Sequence, residues 1–226
     1  MIITIDGPAG TGKSSIARLL AENIGYTFFD TGAMYRAVTY VLLDRKIPFT
    51  DKGQIEELLA YFDFRIETSA GEYHYYVDNK DVSHPIRSPL ITKHVSEVAA
   101  LAVVREKMVI LQRRFAENGH SVFEGRDLGT VVFPNAELKV YLTASAEIRG
   151  ERRFRELLFK RPSEAENLTK EQVTQDILRR DLQDSTRSES PLKIADDAKV
   201  IDTSFMTIEE VIGAILAFGI RPHAAS

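Results

Sequence analysis

Short apolar runs, each followed by a turn or helix signal, recur along the 226-residue chain. They predict the strands of a main sheet at residues 2–5, 26–30, 121–124, 138–142 and 198–202. The stretches between these strands contain helix-length patterns with apolar residues at three- and four-residue spacing. Strands that alternate with helices predict a three-layer α/β/α fold with a five-stranded parallel sheet. In such folds, ligands bind at the carboxyl ends of the strands.

The loop after the first predicted strand has the most specific pattern in the chain. Residues 7–14 read GPAGTGKS, which fits G-x-x-x-x-G-K-[ST] without a mismatch, between an apolar strand and a helical pattern. Glycines let successive N–H groups point at a phosphate, and the helix N-terminus adds partial positive charge. Lys13 then reaches the β- and γ-phosphates, and the Ser14 hydroxyl binds Mg²⁺. The predicted contacts of a nucleoside triphosphate are Gly7, Pro8, Ala9, Gly10, Thr11, Gly12, Lys13, Ser14 and Ser15.

Charged residues follow two other predicted strands. Asp30 and Thr31 are natural helix caps, and Arg36 lies about one turn into the next helix. Arg36 either clamps a second phosphate or is a solvated arginine on a capped helix. The third strand runs into Glu124-Gly125-Arg126-Asp127. Because unpaired charges are costly at a buried strand end, this segment favours a functional role, with Glu124 near Mg²⁺ or its waters and Arg126 on a phosphate.

Two later helices carry further candidates. Arg180, Asp184 and Arg187 share one helix face at about 100° per residue, but from spacing alone an ion-pair ladder on a solvated face is favoured. A helix over about 146–160 and its exit loop form a basic cluster that predicts a lid over the triphosphate. Interspersed glutamates can pair with several of its members, so only two or three are expected to touch a ligand. The cluster comprises Arg149, Arg152, Arg153, Arg155, Lys160 and Arg161.

One segment interrupts the alternation of strands and helices. Residues 61–83 alternate apolar and polar positions, with turns at Ser69-Ala70-Gly71 and Asp78-Asn79, which predicts a small antiparallel sheet. It is too short to be a domain, so we interpret it as an insertion at the edge of a second-substrate site. The chain is predicted to be a single domain over 1–226, with an acceptor-binding insert at about 36–105 and a lid at about 149–187.

The composition narrows the class of protein. An apolar fraction of 44% and a charged fraction of 27% are ordinary for a globular domain. The net charge of −4 argues against a protein dominated by nucleic-acid binding. There is no cysteine, no leader peptide is expected, and no apolar run is long enough for a membrane span. We expect a cytoplasmic monomer with no nucleic-acid or membrane partner.

Taken together, these segments resemble the bacterial cytidylate kinases, which are P-loop nucleoside monophosphate kinases. The resemblance covers about residues 2–218, and it rests on GPAGTGKSS at 7–15, DTGAMYR at 30–36, EGRDLGTVVFPNA at 124–136 and RRDLQDSTRSESPL at 179–192. It implies transfer of the γ-phosphoryl group of ATP, with Mg²⁺, to CMP and dCMP. The alternatives are a kinase of the same fold for UMP or shikimate and, from another class, an NTP-driven switch.

The resemblance also implies roles for individual residues. Ser96, Arg105 and Asp127 would read cytosine, whose amino group suits a carboxylate acceptor and whose N3 and O2 suit an arginine donor. The acceptor phosphate would bind Tyr35, Arg36, Arg126 and Arg187. The sugar hydroxyls would contact Arg180 and Asp184, with Thr31 near the sugar and phosphate. Lys13, Arg126, Arg153 and Arg187 are the predicted catalytic residues, and Arg153 is also a predicted contact of the triphosphate. Ser14 and Glu124 are the predicted metal ligands.

The helical pattern over about 90–118 conflicts with two of these roles. Ser96 and Arg105 are nine residues apart, which places them on opposite faces of a straight helix. Both can face one base only if the helix breaks near 101–103.

Overall fold

The chain folds as two units in the computed structural model, which describes residues 1–69, 71–117, 119–162, 166 and 168–220. The first unit combines Met1–Phe29 with Ala116–Ser226, and the second is Asp30–Phe115. Among the described residues, no helix is long and apolar enough to cross a membrane.

The main sheet has five strands, and all five were predicted from the apolar runs. The order across the sheet is β2-β6-β1-β7-β8, so the strand that precedes the phosphate loop lies in the centre. The pairs of β1 with β6, β1 with β7 and β7 with β8 are parallel. The strands are β1 (Ile2–Asp6), β2 (Thr27–Asp30), β6 (Ser121–Gly125), β7 (Leu138–Thr143) and β8 (Lys199–Asp202).

Four α-helices and one π-helical turn complete the part of the first unit that the structure describes. The helices are α1 (Lys13–Ile24), α6 (Ala146–Lys160), α7 (Lys170–Thr186) and α8 (Ile208–Leu216). A capping box begins α7, because Thr169 and Gln172 each accept the backbone N–H of the other, as the residues at positions 169–172 favour. A single π-helical turn, Leu128–Val132, follows β6. Such turns often mark functional sites.

The second unit has its own apolar core. It contains α2 (Thr31–Asp44), α3 (Lys52–Ala60), a three-stranded antiparallel sheet, a short 3₁₀ turn (Pro85–Arg87), α4 (Pro89–Ala99) and α5 (Ala102–Ala116). The small sheet confirms the prediction for residues 61–83, and its strands are β3 (Phe64–Ser69), β4 (Glu72–Val77) and β5 (Lys80–Asp81). Gly71, Asp78 and Asn79 have the positive φ angles that tight turns require, whereas Ala70 of the first predicted turn lies outside the described residues.

The helical region predicted over 90–118 is interrupted. Helix α4 ends at Ala99 and α5 begins at Ala102, so the region is helical but consists of two helices. At the break, 3₁₀-type hydrogen bonds replace α-helical ones, because the N–H groups of Ala100 and Leu101 donate to the carbonyls three residues earlier. The Arg105 guanidinium donates to the Ala99 carbonyl at 3.1 Å, which satisfies one of the last carbonyls of α4. Because the helix breaks at 100–101, Ser96 and Arg105 do not have to lie on opposite faces of one straight helix.

Candidate active site

The loop between β1 and α1 has the backbone that its sequence predicts. Gly10 and Gly12 adopt left-handed φ angles of 80° and 89°. A Cβ on Gly7 would lie 2.1 Å from the Leu142 carbonyl oxygen, so only glycine lets the loop leave the sheet here. The Lys13 ammonium folds back to donate to the Pro8 carbonyl at 2.6 Å. The glycine conformations are those that a phosphate loop requires.

Lys13 lies in an environment that disfavours its charge. Its residue is only 5% exposed. Burial, followed by the positive charges of Arg126 and Arg180, lowers the pKa of Lys13 to about 7, against an opposing effect of Glu124. An anion placed in the loop would restore the ammonium form, since an opposite charge nearby favours the charged state. The loop is thus prepared for a polyanionic ligand.

Ser14 and Glu124 meet at the ends of two neighbouring elements. The Ser14 hydroxyl donates to Glu124 Oε1 at 2.8 Å, and Glu124 is buried at the carboxyl end of β6. Both oxygens are hard ligands of the kind Mg²⁺ prefers. Among the described residues no cluster of three or more His, Cys, Asp or Glu side chains could hold a metal without further ligands. The pair fits a magnesium ion that takes its other ligands from nucleotide phosphates and water.

The segment after β6 is tied to α7 by buried ion pairs. Arg126 donates to Asp184 at 2.9 Å, and Arg187 donates to Asp127 at 3.3 Å and lies 3.9 Å from Asp184. The side chains of Asp127, Asp184 and Arg187 are 7%, 6% and 5% exposed. The solvated ladder that the spacing of Arg180, Asp184 and Arg187 favoured is therefore the wrong interpretation for Asp184 and Arg187.

The ionised form of the Asp184 carboxyl group is stabilised by neighbouring arginines. Burial alone would raise the pKa of this carboxyl group, but Arg126, Arg180 and Arg187 outweigh burial and keep its pKa below the usual range. Arg187 also pairs with Asp127, and Arg126 interacts with Glu124, so the arginines of this region are matched by carboxylates in the protein without nucleotide.

The basic cluster of α6 divides into buried and exposed members. Arg149 is 6% exposed and donates to the carbonyls of Ala9 and Ala144 at 2.8 and 3.0 Å. It also pairs with Asp181 of α7, whose second oxygen accepts the N–H of Ala9 at 2.9 Å. Arg149 and Asp181 thus tie α6 and α7 to the phosphate loop. Arg149 was predicted only as a member of the basic lid cluster. Asp181 was not selected from the sequence, although it continues the four-residue spacing of the buried positions Val173 and Ile177.

Three other cationic members of α6 pair with the interspersed glutamates, as one sequence interpretation allowed, whereas Arg152 donates to the hydroxyl and carbonyl oxygens of Thr203. Arg153 lies 2.7 Å from Glu156, Lys160 lies 3.0 Å from the same carboxylate, and Arg155 lies 2.6 Å from Glu151. The Arg153 side chain is 37% exposed, so it can exchange this partner for a ligand at small cost.

In the second unit, the contacts of Asp30 and Arg36 exclude one of the two interpretations of Arg36, that of a solvated arginine. Asp30 caps α2 by accepting the N–H of Ala33 at 2.8 Å, and its other oxygen accepts from Arg36 at 2.8 Å. The Arg36 side chain is 18% exposed, so it is not a solvated arginine. A Cβ on Gly32 would come within 3.0 Å of the Arg36 guanidinium, which explains a glycine inside this helix. Arg36 is held in place rather than left mobile.

Arg105 belongs to the same unit and is 3% exposed. Its guanidinium lies over the Tyr35 ring, 5.4 Å from the ring centroid, and also donates to Ala99. Thr31 and Ser96 are buried as well. A buried arginine stacked on an aromatic ring keeps a fixed orientation, as a base-reading residue must.

One buried carboxylate was missed altogether. Asp6, the last residue of β1, is 5% exposed, and its oxygens accept the N–H groups of Leu128 and Gly129 at 3.0 and 2.8 Å. The signal was available, because a carboxylate that ends a buried strand is the same feature that marked Glu124. It was overlooked because the phosphate-loop pattern begins one residue later, at Gly7.

A glycine-rich loop between a central parallel strand and a helix, with a buried lysine and a hydroxyl–carboxylate pair beside it, is the architecture of P-loop kinases. These enzymes transfer a phosphoryl group from a nucleoside triphosphate.

The chain belongs to the cytidylate kinase family, since the sequence model of that family, described as Cytidylate kinase, matches residues 3–219. The resemblance drawn from the motifs is confirmed.

Two cytidylate kinases of similar sequence agree with this assignment. The cytidylate kinase of Protochlamydia amoebophila is 50% identical over 218 residues, which is 96% of each chain. That of Streptococcus suis is 47% identical over 211 residues, covering 93% of this chain and 92% of the relative. Among solved structures, the shikimate kinase of Bacteroides thetaiotaomicron has a TM-score of 0.49 at 13% identity, covering 96% of this chain and 97% of its own.

Proposed function

We propose that this protein transfers the γ-phosphoryl group of ATP to CMP, giving ADP and CDP. The observation that carries the proposal is the buried ion-pair network of Arg126, Asp127, Asp184 and Arg187 in a member of the cytidylate kinase family. Buried ion pairs contribute little to stability, so a cluster of four such groups beside a phosphate loop is better explained by a ligand that uses them.

Charge neutralisation is the main task of this site. ATP and CMP are both anions, and their phosphates repel each other until cations surround them. Lys13 binds the transferred phosphoryl group, while Arg126 and Arg187, with Tyr35 and Arg36, hold the acceptor phosphate. Because the second pKa of a phosphate monoester is near ~6, CMP is mostly dianionic at neutral pH and no strong general base is required.

The arginines of the acceptor site have carboxylate partners in the nucleotide-free protein. Arg36 pairs with Asp30, Arg126 with Asp184, and Arg187 with Asp127. We propose that these pairs keep the guanidinium groups oriented before CMP binds, so that little side-chain entropy is lost on binding. Asp184 and Arg180 then contact the sugar hydroxyls, with Thr31 near the sugar and phosphate.

Cytosine recognition is proposed for Ser96, Arg105 and Asp127. The carboxylate of Asp127 accepts from the 4-amino group, and the Arg105 guanidinium donates to N3 and O2. Uracil has a donor at N3 and an acceptor at position 4, so the same groups would meet mismatched partners.

Magnesium is proposed at Ser14 and Glu124, where the chain offers a hydroxyl and a carboxylate oxygen side by side. The ion would neutralise phosphate charge when bound. On the lid, Arg153 would exchange Glu156 for the triphosphate. The use of dCMP as a second acceptor, the monomeric state, the cytoplasmic location, the absence of nucleic-acid and membrane partners, and the insert and lid boundaries remain predictions.

Product analysis tests the reaction itself. Purified protein is incubated with ATP, Mg²⁺ and CMP, and the nucleotides are separated by anion-exchange chromatography. Equal amounts of ADP and CDP are expected. ADP that accumulates without CDP, and faster with added RNA or DNA, would instead support an NTP-driven switch or motor.

A further inference from the structure

The carboxylate of Asp6 replaces the usual cap of the turn that follows Asp127. An aspartate at the N-cap of a helical turn normally accepts a backbone N–H of the first residues of that turn with its own side chain. Asp127 is the N-cap of the π-helical turn Leu128–Val132 and makes no such bond. Instead, Asp6 accepts the N–H groups of Leu128 and Gly129 at 3.0 and 2.8 Å from the end of the neighbouring strand β1.

This arrangement leaves the side chain of Asp127 directed away from its own backbone. Its carboxylate receives Arg187 at 3.3 Å, while its carbonyl accepts the N–H groups of Val131 and Val132 at 2.9 and 3.3 Å. If the Asp127 carboxylate capped the turn, it would have to point at the N–H groups of its own turn and could not keep its present orientation towards Arg187. The cap from Asp6 therefore allows the Asp127 carboxylate to point away from the turn.

The turn is also packed tightly against the sheet. A Cβ on Gly129 would lie 3.1 Å from the side chain of Lys139 and 3.3 Å from the Thr4 hydroxyl. Lys139 is itself fixed, since it donates to the Pro134 carbonyl at 2.6 Å and to Asp197 at 2.8 Å. The Asp6 bonds thus hold a turn that has no room to move inward.

Burial of Asp6 carries an energetic cost that stability alone does not explain. Burial raises the pKa of Asp6 to about 7, the two N–H donors and Lys13 only partly oppose this, and the negative charge of Asp127 adds to it. Buried carboxylates with perturbed pKa values concentrate at functional sites. A carboxylate in this position is consistent with a positioning role.

We propose that Asp6 is a positioning residue for acceptor specificity: it caps the turn after Asp127 in place of the Asp127 side chain and so holds that carboxylate in position for the acceptor base. The proposal rests on the proposed function, in which Asp127 reads the cytosine amino group. Asp6 itself touches neither nucleotide in this account.

The test is a double-mutant cycle on acceptor discrimination. The ratio of kcat/KM for CMP to that for UMP is measured for the wild type, Asp6→Asn, Asp127→Asn and the double variant. Asp6→Asn is expected to reduce the ratio by about fivefold or more, mainly through the KM for CMP, as a misplaced base contact would. In the Asp127→Asn background, Asp6→Asn is expected to change the ratio by less than about twofold, because its effect acts through Asp127.

A matched control lies at the other end of the same strand. Glu137 accepts the N–H of Ile2, the first residue of β1, at 2.7 Å. Glu137→Gln therefore also removes a carboxylate that accepts a backbone N–H, but one far from the turn after Asp127. It is expected to leave the CMP/UMP ratio unchanged. An unchanged ratio in Asp6→Asn, or an equal loss in both backgrounds, would overturn the proposal. An unchanged ratio in Asp127→Asn would instead remove the base-reading role on which the proposal depends.

The wild-type enzyme provides a second measurement, should Asp6→Asn fail to fold. Slow amide hydrogen exchange at both Leu128 and Gly129 in the nucleotide-free protein is expected, since both N–H groups are bonded to a buried carboxylate. Fast exchange at both positions would show that the cap does not persist in solution, and the proposal would fall.

Discussion

The phosphate loop and the segment after β6 each follow a strand of the main sheet, but different groups provide their positive charge. The loop of residues 7–14 relies on backbone N–H groups and on Lys13, whose ammonium donates to a backbone carbonyl, that of Pro8, rather than to a carboxylate. The segment after β6 relies on side chains, and Arg126 is already paired with Asp184. Lys13 can bind an anion without first giving up a carboxylate partner. The arginines after β6 must instead exchange their carboxylate partners for the substrate. The two sites should therefore respond differently to substitution and to pH.

The largest effect is expected from removing the lysine of the phosphate loop. Lys13→Ala should lower turnover by roughly 100- to 1,000-fold or more, since it removes a preorganised charge at the transferred group. Binding of CMP should remain measurable by calorimetry, because the acceptor groups are untouched. Lys199→Ala, an exposed lysine of β8, is the control and should turn over normally. Near-normal turnover in Lys13→Ala would remove the loop from the reaction.

The unsatisfied charge of Lys13 also predicts a stability effect without nucleotide. The pKa of Lys13 is about 7 in the folded state and near 10.5 when unfolded, so the charged form destabilises the fold. This cost is fully present below pH ~7 and decreases as the pH rises towards ~10.5. Lys13→Met should therefore be more stable than the wild type at pH 6, by on the order of a few kcal/mol, and the difference should shrink by pH 9. Urea unfolding at the two pH values measures it; a gain that grows with pH would contradict the sign.

A smaller effect is expected at the segment after β6. Asp127→Asn should weaken CMP by about 1–3 kcal/mol and narrow the preference for CMP over UMP, because the amide presents a donor to a donor. Specificity constants for the two acceptors measure the change. If Asp127 only balances the charge of Arg187, both acceptors will weaken equally and the ratio will not move.

The smallest effect on stability is expected at the exposed lid arginine. Arg153→Ala should change the free energy of unfolding by less than about 0.5 kcal/mol, since exposed ion pairs contribute little. It should nevertheless raise the KM for ATP, as loss of a charged contact to the triphosphate does. Arg155→Ala is the matched comparison, because Arg155 pairs with Glu151 on the same helix. Equal effects of the two variants on ATP would show that Arg153 has no particular role.

The sequence predicted the main sheet and the phosphate loop well because both depend on local signals. Apolar runs mark strands that are buried on both faces, and the glycines at 7, 10 and 12 are required by backbone geometry alone. The capping box of Thr169 and Gln172 is equally local. These features need no knowledge of distant partners.

Features that depend on distant contacts could not be predicted in this way. Whether Arg187 and Asp184 lie on a solvated or a buried face depends on what packs against α7, and the spacing within the helix is the same in both cases. The break between α4 and α5 has no proline or glycine to mark it. It is stabilised by Arg105, which donates to the carbonyl of Ala99, six residues earlier in the chain. Asp6 acts on residues more than a hundred positions away. Tertiary packing decided each of these points.

The central claim is that this site phosphorylates a cytosine nucleotide. The most direct test offers CMP, dCMP, UMP, AMP and GMP in turn, with ATP and Mg²⁺, and compares kcat/KM from ADP release. We predict that CMP and dCMP exceed the other acceptors, because only cytosine matches the donors and acceptors of Ser96, Arg105 and Asp127. A preference for UMP, AMP or GMP would contradict the base-reading assignment and the proposed substrate, while leaving the phosphate loop in place.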